Sequence, residues 1–148
     1  MKIIVAWIGK TRDPAIQSLT SEYLKRLTHY APIEALALPG EAALLKLVNP
    51  EGPGSRGKLI LLDTNGKQFT SEEFADFLED QRSRSPYPLV FALGPADGFS
   101  KQVRGAAAQV VSFGKMTMAH EVARIVFLEQ LYRAFTILKG HPYHLGHK

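Results

Sequence analysis

The chain has 148 residues, of which 45% are apolar and 22% charged, with a formal net charge of +4 and no cysteine. That size and composition suit one soluble domain over residues 1–148 that buries roughly 70% of its unfolded surface, and they exclude a disulfide framework or a thiolate metal site. The opening apolar run, Ile3 to Ile8, is shorter than the roughly 7–15 residues of a secretory signal, and nothing approaches the roughly 20 apolar residues of a membrane span; a cytoplasmic protein with no membrane partner is expected.

Lys2 to Ile8 predicts a first strand. Pro14 opens a helix where its missing N–H costs nothing, and Ile16, Leu19, Tyr23, Leu24 and Leu27 keep the helical period. Pro32 ends that segment. Ile33 to Leu38 reads as a strand, Pro39-Gly40 breaks it, and Glu41 to Val48 is a short helix. Residues 49 to 57 are rich in proline and glycine and read as a loose loop. Lys58 to Asp63 is a nearly continuous apolar run, the mark of a strand covered on both faces, and Thr64 to Lys67 reads as a turn. Thr70 and Glu73 make a capping box for a helix reaching about Ser83. Tyr87 to Leu93 is the next buried strand. Ser100 caps a helix from Lys101 to about Ala108, and Gln109 to Phe113 is a last short strand. Residues 119 to 139 form the longest helix, with Ala123, Val126, Phe127, Leu131, Ala134 and Leu138 on one face.

Strict alternation of strand and helix predicts an α/β fold with a mainly parallel sheet of five to six strands and helices on both faces. Ligands of such sheets bind beyond the carboxyl ends of the strands. The loops to search therefore follow Asp63, Leu93 and Phe113.

The loop Leu93-Gly94-Pro95-Ala96-Asp97-Gly98-Phe99-Ser100 combines glycines with an acidic residue and leads into a capped helix. Glycine allows a ligand close to the backbone, but the spacing is not the dinucleotide fingerprint, and an ordinary strand-to-helix turn would look the same. The loop Phe113-Gly114-Lys115-Met116-Thr117-Met118 carries two methionines, which suit an adaptable apolar pocket or simple packing on the core. On the last helix Glu129 and Arg133 are four apart, the spacing of a surface ion pair.

Up to Asp97 the chain has 11 basic and 12 acidic residues; from Gly98 onward it has 7 basic and 2 acidic, with four of the five histidines. A polyanionic partner is expected at that end, against the alternative of a solvated lysine-rich surface. Gly140 is a natural helix stop, followed by His141-Pro142-Tyr143-His144-Leu145-Gly146-His147-Lys148. With no carboxylate or cysteine among them, these histidines do not suggest a metal site. The tail reads either as a passive terminus or as a segment that stacks on a base and contacts phosphates.

Three separated segments resemble the ribosomal RNA large-subunit methyltransferase H family of the knotted SPOUT class. They are Phe91 to Gly98, Met116 to Arg133 with Leu131-Tyr132-Arg133-Ala134, and His141 to His144; the opening strand and Glu22-Tyr23-Leu24-Lys25-Arg26 are similar as well. The resemblance covers nearly the whole chain. It implies a C-terminal trefoil knot, a homodimer, and S-adenosyl-L-methionine as cofactor, bound by Leu62, Gly94, Phe113, Gly114, Lys115, Met116, Thr117 and Met118. It implies methylation of N3 of a pseudouridine in 23S ribosomal RNA of the assembled ribosome. Glu129, Arg133, Tyr143 and His144 are the catalytic candidates: Arg133 to stabilise charge on the base, Glu129 to orient it, Tyr143 to stack or to order the tail. His144, His141 and Tyr143 are candidates for taking the N3 proton, with none singled out. Metal ligands are not expected.

The chain departs from the family pattern at Pro95, where a second glycine is usual, and at Leu145, where an arginine is usual. It is also shorter between Pro39 and Lys58, lacking a lysine-rich segment. The competing readings are a related methyltransferase with another RNA target and a non-catalytic RNA-binding module.

Overall fold

The computed structural model describes residues 2–49, 57–95 and 97–147. Five strands, β1 (Ile3–Ile8), β2 (Ile33–Leu38), β3 (Lys58–Gln68), β4 (Leu89–Leu93) and β5 (Gln109–Ser112), alternate with five helices, α1 (Pro14–Leu27), α2 (Glu41–Val48), α3 (Ser71–Arg84), α4 (Lys101–Ala106) and α5 (His120–Leu138). All strand pairings are parallel, and the order across the sheet is β2-β1-β4-β3-β5.

The sheet is covered on both faces because its central strands β1 and β4, and Leu59 to Leu62 of β3, are apolar at every position. Successive side chains of a strand point to opposite faces. Accordingly Ile3, Val5 and Trp7 of β1, Ile60 of β3, and Leu89, Phe91 and Leu93 of β4 join one core with Leu27, Phe74, Leu78, Phe127, Leu131 and Phe135. Ile4, Ala6, Leu59, Leu61, Val90 and Ala92 join the other with Leu44, Phe99 and Val103. Thus α1, α3 and α5 cover one face and α2 and α4 the other. Phe91, fully buried and 5.0 Å from Phe127 between ring centres, sits at the middle of the first core; its truncation to alanine would cost about 3–5 kcal/mol.

Local signals in the chain are realised at the helix ends. Asp13 caps α1, accepting from Ala15 N–H, with Pro14 in the first turn. Thr70 and Glu73 form the reciprocal capping box of α3. Ser100 accepts from Val103 N–H at the start of α4. At the end of α5, Gly140 has φ of 70°, His141 N–H bonds Thr136 O and Gly140 N–H bonds Ile137 O; this paired closure needs the left-handed conformation that glycine adopts without strain.

Four expectations are corrected. The turn expected at Thr64 to Lys67 lies within β3, which runs on to Gln68: Leu62 and Lys67 both pair with Val111, so residues 63–66 form an outsized bulge. Gly66 is pressed so close to β5 that a Cβ there would stand 2.7 Å from Val110 backbone atoms. β4 starts at Leu89 and not Tyr87, because Pro86 and Pro88 have no N–H to give the ladder. α4 ends at Ala106 and β5 at Ser112, each slightly short of the expected limit. The loose stretch from 49 to 57 falls mostly outside the described residues.

Candidate functional site

At the carboxyl edge of the sheet, β3 and its neighbours β4 and β5 open into divergent loops. The chain leaves β3 toward α3 on one face and β4 toward α4 on the other, so a crevice opens between them, as at other switch points of parallel sheets. A cleft of about 290 Å³ lies there, lined by residues of the β3 bulge, of β4 and β5 and the loops after them, and by Arg104 of α4 and His120 and Ala123 of α5.

Of the eight residues expected to hold a cofactor, Leu62, Gly94, Phe113, Gly114, Met116, Thr117 and Met118 line this cleft. Lys115 instead lines a neighbouring recess with Thr64, Asn65, Gly66 and Gln68. Ser112, buried at the end of β5, fixes the floor: its hydroxyl accepts from Gly114 N–H at 3.0 Å and stands 2.9 Å from Gly114 O and 3.2 Å from Thr64 O. Gly94 is backed by the ring of Phe99, 2.8 Å from where a Cβ would lie. Its lack of a side chain is therefore needed for packing inside the protein, whatever approaches from the cleft.

One wall of the cleft is apolar, with Leu62, Leu93, Val111 and Phe113; another is charged, with Asp63, Asp97 and Arg104. Arg104 Nη2 donates to Asp63 Oδ2 at 2.6 Å and its Nε to Phe99 O at 3.2 Å. Asp63 also accepts from Asn65 N–H at 2.9 Å. The sequence reading passed over Arg104, which lies 41 residues from its partner; the only signal was its place one helix beyond a glycine loop.

Below the cleft, α5 is tied to the loop after β1. Glu121 accepts from Arg12 N–H at 2.9 Å, and the buried Arg124 donates to Thr11 Oγ1 with its guanidinium 3.8 Å from the centre of the Trp7 ring. Burial holds the Arg124 pKa below the usual guanidinium range, with nearby Glu121 opposing the shift.

Glu129, Arg133, Tyr143 and His144 are brought together. Arg133 reaches Glu129 with two prongs, Nε to Oε1 at 3.2 Å and Nη2 to Oε2 at 2.8 Å. Tyr143 donates its phenol proton to Glu129 Oε2 at 2.9 Å, and its ring meets Tyr132 edge-on with centres 4.9 Å apart. Arg133 can only donate, so at 2.9 Å from its Nη1 the His144 Nδ1 accepts; His144 Nε2 then carries the proton and donates to Glu72, 2.7 Å away. The tail is thus folded onto α3 and α5, ending in a short 3-10 turn at Leu145–His147. Glu72 had no signal in the chain, being 72 residues from His144. The hydrogen bonds that Arg133 donates to Glu129 hold its guanidinium above its ordinary pKa. Burial, then the Glu129 hydrogen bond, pushes Tyr143 up to about 12.

The pair Glu129–Arg133 is therefore more than a surface contact, since its side chains are only 21% and 11% exposed. The positive excess beyond Gly98 is likewise partly internal: Arg124 is buried, Arg133 and Arg104 are paired, and Lys101, Lys115 and Lys139 are exposed. Among the described residues there is no group of three or more potential metal ligands and no helix long and apolar enough to cross a membrane.

These features define a parallel α/β protein with a ligand cleft at the carboxyl edge of its sheet and a polar network beside it. A family model described as predicted SPOUT methyltransferase matches residues 1–144. The ribosomal RNA large subunit methyltransferase H of Koribacter versatilis is 54% identical over 148 residues, covering 99% of this chain and 100% of that one. The proteins of that name from Gloeobacter violaceus and Parabacteroides distasonis are 42% and 39% identical, over 99% and 97% of this chain and 100% and 99% of theirs. The chain belongs to the SPOUT methyltransferases and, within them, to the ribosomal RNA large subunit methyltransferase H family.

Proposed function

We propose that this protein transfers a methyl group from S-adenosyl-L-methionine to N3 of a pseudouridine in the 23S RNA of assembled large ribosomal subunits, as a cytoplasmic homodimer of one-domain, C-terminally knotted chains. The observation that carries the reading is full-length similarity to proteins named for methylating large-subunit ribosomal RNA.

The cleft suits the cofactor in chemistry and size. Its apolar wall accepts a flat heterocycle, its loop backbone from Lys115 to Met118 is outside helix and strand and can meet an adenine edge, and its charged wall suits an amino-acid end. The volume lies near the lower end of the roughly 300–1,000 Å³ usual for small-molecule sites. When bound, the cofactor supplies a methyl group already activated by its sulfonium, so the protein has mainly to align donor and acceptor.

Arg133 is placed to stabilise negative charge that develops on the base as the N3 proton leaves, by fixed electrostatics. Glu129 is a positioning residue that holds the guanidinium by two bonds. Tyr143 orders the tail through the same carboxylate. In this conformation the His144 Nδ1 lone pair is engaged by Arg133, so His144 must release that contact to accept a proton.

Within one chain the network and the cleft stand apart: Arg133 is ten residues beyond Ala123, about 15 Å along α5. Reacting atoms must approach to about 3–3.5 Å. A dimer with α5 near the interface would set one copy's tail beside the other's cleft. The exposed Leu19, Met116 and Val122 offer apolar area for that contact. Light scattering at micromolar concentration should give twice the chain mass.

The deciding experiment is mass spectrometry of ribosomal RNA from a strain lacking the gene, with and without complementation. One methyl group on a large-subunit pseudouridine should vanish and return; an unchanged modification profile rejects the reading. Loss of a methyl group elsewhere would indicate another RNA target.

A further inference from the structure

We infer that Arg104 is the specificity residue for the charged amino-acid end of the cofactor, pairing with its α-carboxylate while Asp97 faces its α-ammonium. The inference rests on the cofactor reading given above. Among the described residues lining the cleft, Arg104 is the only lysine or arginine. A methionine-derived ligand brings one carboxylate into that space, and a carboxylate taken from water needs a cation or several N–H donors.

The guanidinium is held ready for this. Nη2 is fixed to Asp63, whose side chain is only 9% exposed, and Nε is fixed to the Phe99 carbonyl. Nη1 has no hydrogen-bond partner among the described residues, and the side chain remains 36% exposed. Two of the three nitrogens orient the fork, on a side chain that lines the cleft, and the third keeps its donors for a ligand. Gly98 lies directly against the pair: a Cβ there would stand 3.6 Å from Arg104 Nη2 and 3.9 Å from Asp63 Oδ2, in ordinary contact. Asp97 precedes this glycine and also lines the cleft. The cleft thus offers both a cation and a carboxylate to a zwitterion, and its apolar residues are left for the nucleoside.

The competing account makes Asp63–Arg104 a purely structural clasp for the loop after β4. The two accounts differ in which ligands feel the substitution. Calorimetry would compare S-adenosylhomocysteine with methylthioadenosine, which keeps the nucleoside and thioether but lacks the amino acid. Arg104→Gln should weaken S-adenosylhomocysteine about tenfold to a hundredfold and leave methylthioadenosine within about twofold. Equal weakening of both ligands, or of neither, overturns the inference and leaves the cofactor reading standing. The wild-type protein gives a second measurement that needs no variant: decarboxylated S-adenosylmethionine should bind about tenfold to a hundredfold more weakly than S-adenosylmethionine, and equal affinity overturns the inference. If the wild-type protein binds none of these nucleosides, the cofactor reading itself fails and this inference with it.

Discussion

Tyr143 donates a 2.9 Å hydrogen bond to the Oε2 of Glu129 that also receives Arg133 Nη2 at 2.8 Å. One carboxylate oxygen thereby joins the segment beyond α5 to the helix and fixes the Arg133 guanidinium. Four predictions come from this network and from the cleft.

The Tyr143 phenol should titrate late. Its pKa is raised from the ordinary 10.0 to about 12, and the favoured form is the protonated one that donates to Glu129. The linked stability is fully present below pH 10 and is lost as pH rises toward about 12. The melting-temperature gap between wild type and Tyr143→Phe should be constant from about pH 6 to 9 and close above about 10. A gap that closes on acidification instead would contradict the assignment.

Glu129→Gln should destabilise the protein by about 1–3 kcal/mol in urea unfolding, because Arg133 loses its charged partner in a half-buried site. Methyl transfer to purified ribosomes should fall with it, while affinity for S-adenosylhomocysteine stays near wild type. Unchanged stability would mean that water replaces the carboxylate without loss.

Deleting residues 141–148 should abolish methyl transfer and leave cofactor affinity nearly unchanged, since none of the described ones lines the cleft. Tyr143→Ala should act in the same direction and severely. Tritiated methyl incorporation into ribosomes, run beside calorimetry, separates the two effects. Wild-type incorporation by the truncated protein would make the tail a passive terminus.

Gly94→Val should lower stability as well as ligand affinity, because its first added carbon meets the Phe99 ring before any ligand is present. Overpacking of this kind costs about 1–3 kcal/mol. Gly94→Ala with Phe99→Leu should recover stability relative to Gly94→Ala alone. No recovery in thermal unfolding of the double variant would show that the ring is not the obstacle.

The sequence by itself determined the parts of this protein that depend on near neighbours. Alternation of apolar strands with periodic helices sufficed for a parallel α/β sheet covered on both faces, because two-residue and 3.6-residue periods are local properties of the chain. The caps at Thr70–Glu73 and Ser100 and the stop at Gly140 were legible for the same reason. So were the three chain segments that build the cleft, one of them a bulge within β3 and not a loop, since connectivity in a parallel sheet puts ligands at the carboxyl ends. The tertiary structure alone decided the strand order β2-β1-β4-β3-β5, the bulge that keeps residues 63–66 within β3, the ring of Phe99 behind Gly94, and the pairings Asp63–Arg104 and Glu72–His144. Each of these joins groups whose separation along the chain carries no periodic or capping signal, so it exists only after the sheet has brought them together. The spacing of Glu129 and Arg133 was visible from the start. Their withdrawal from solvent was not, because it is the tail, folding back over α5, that covers them.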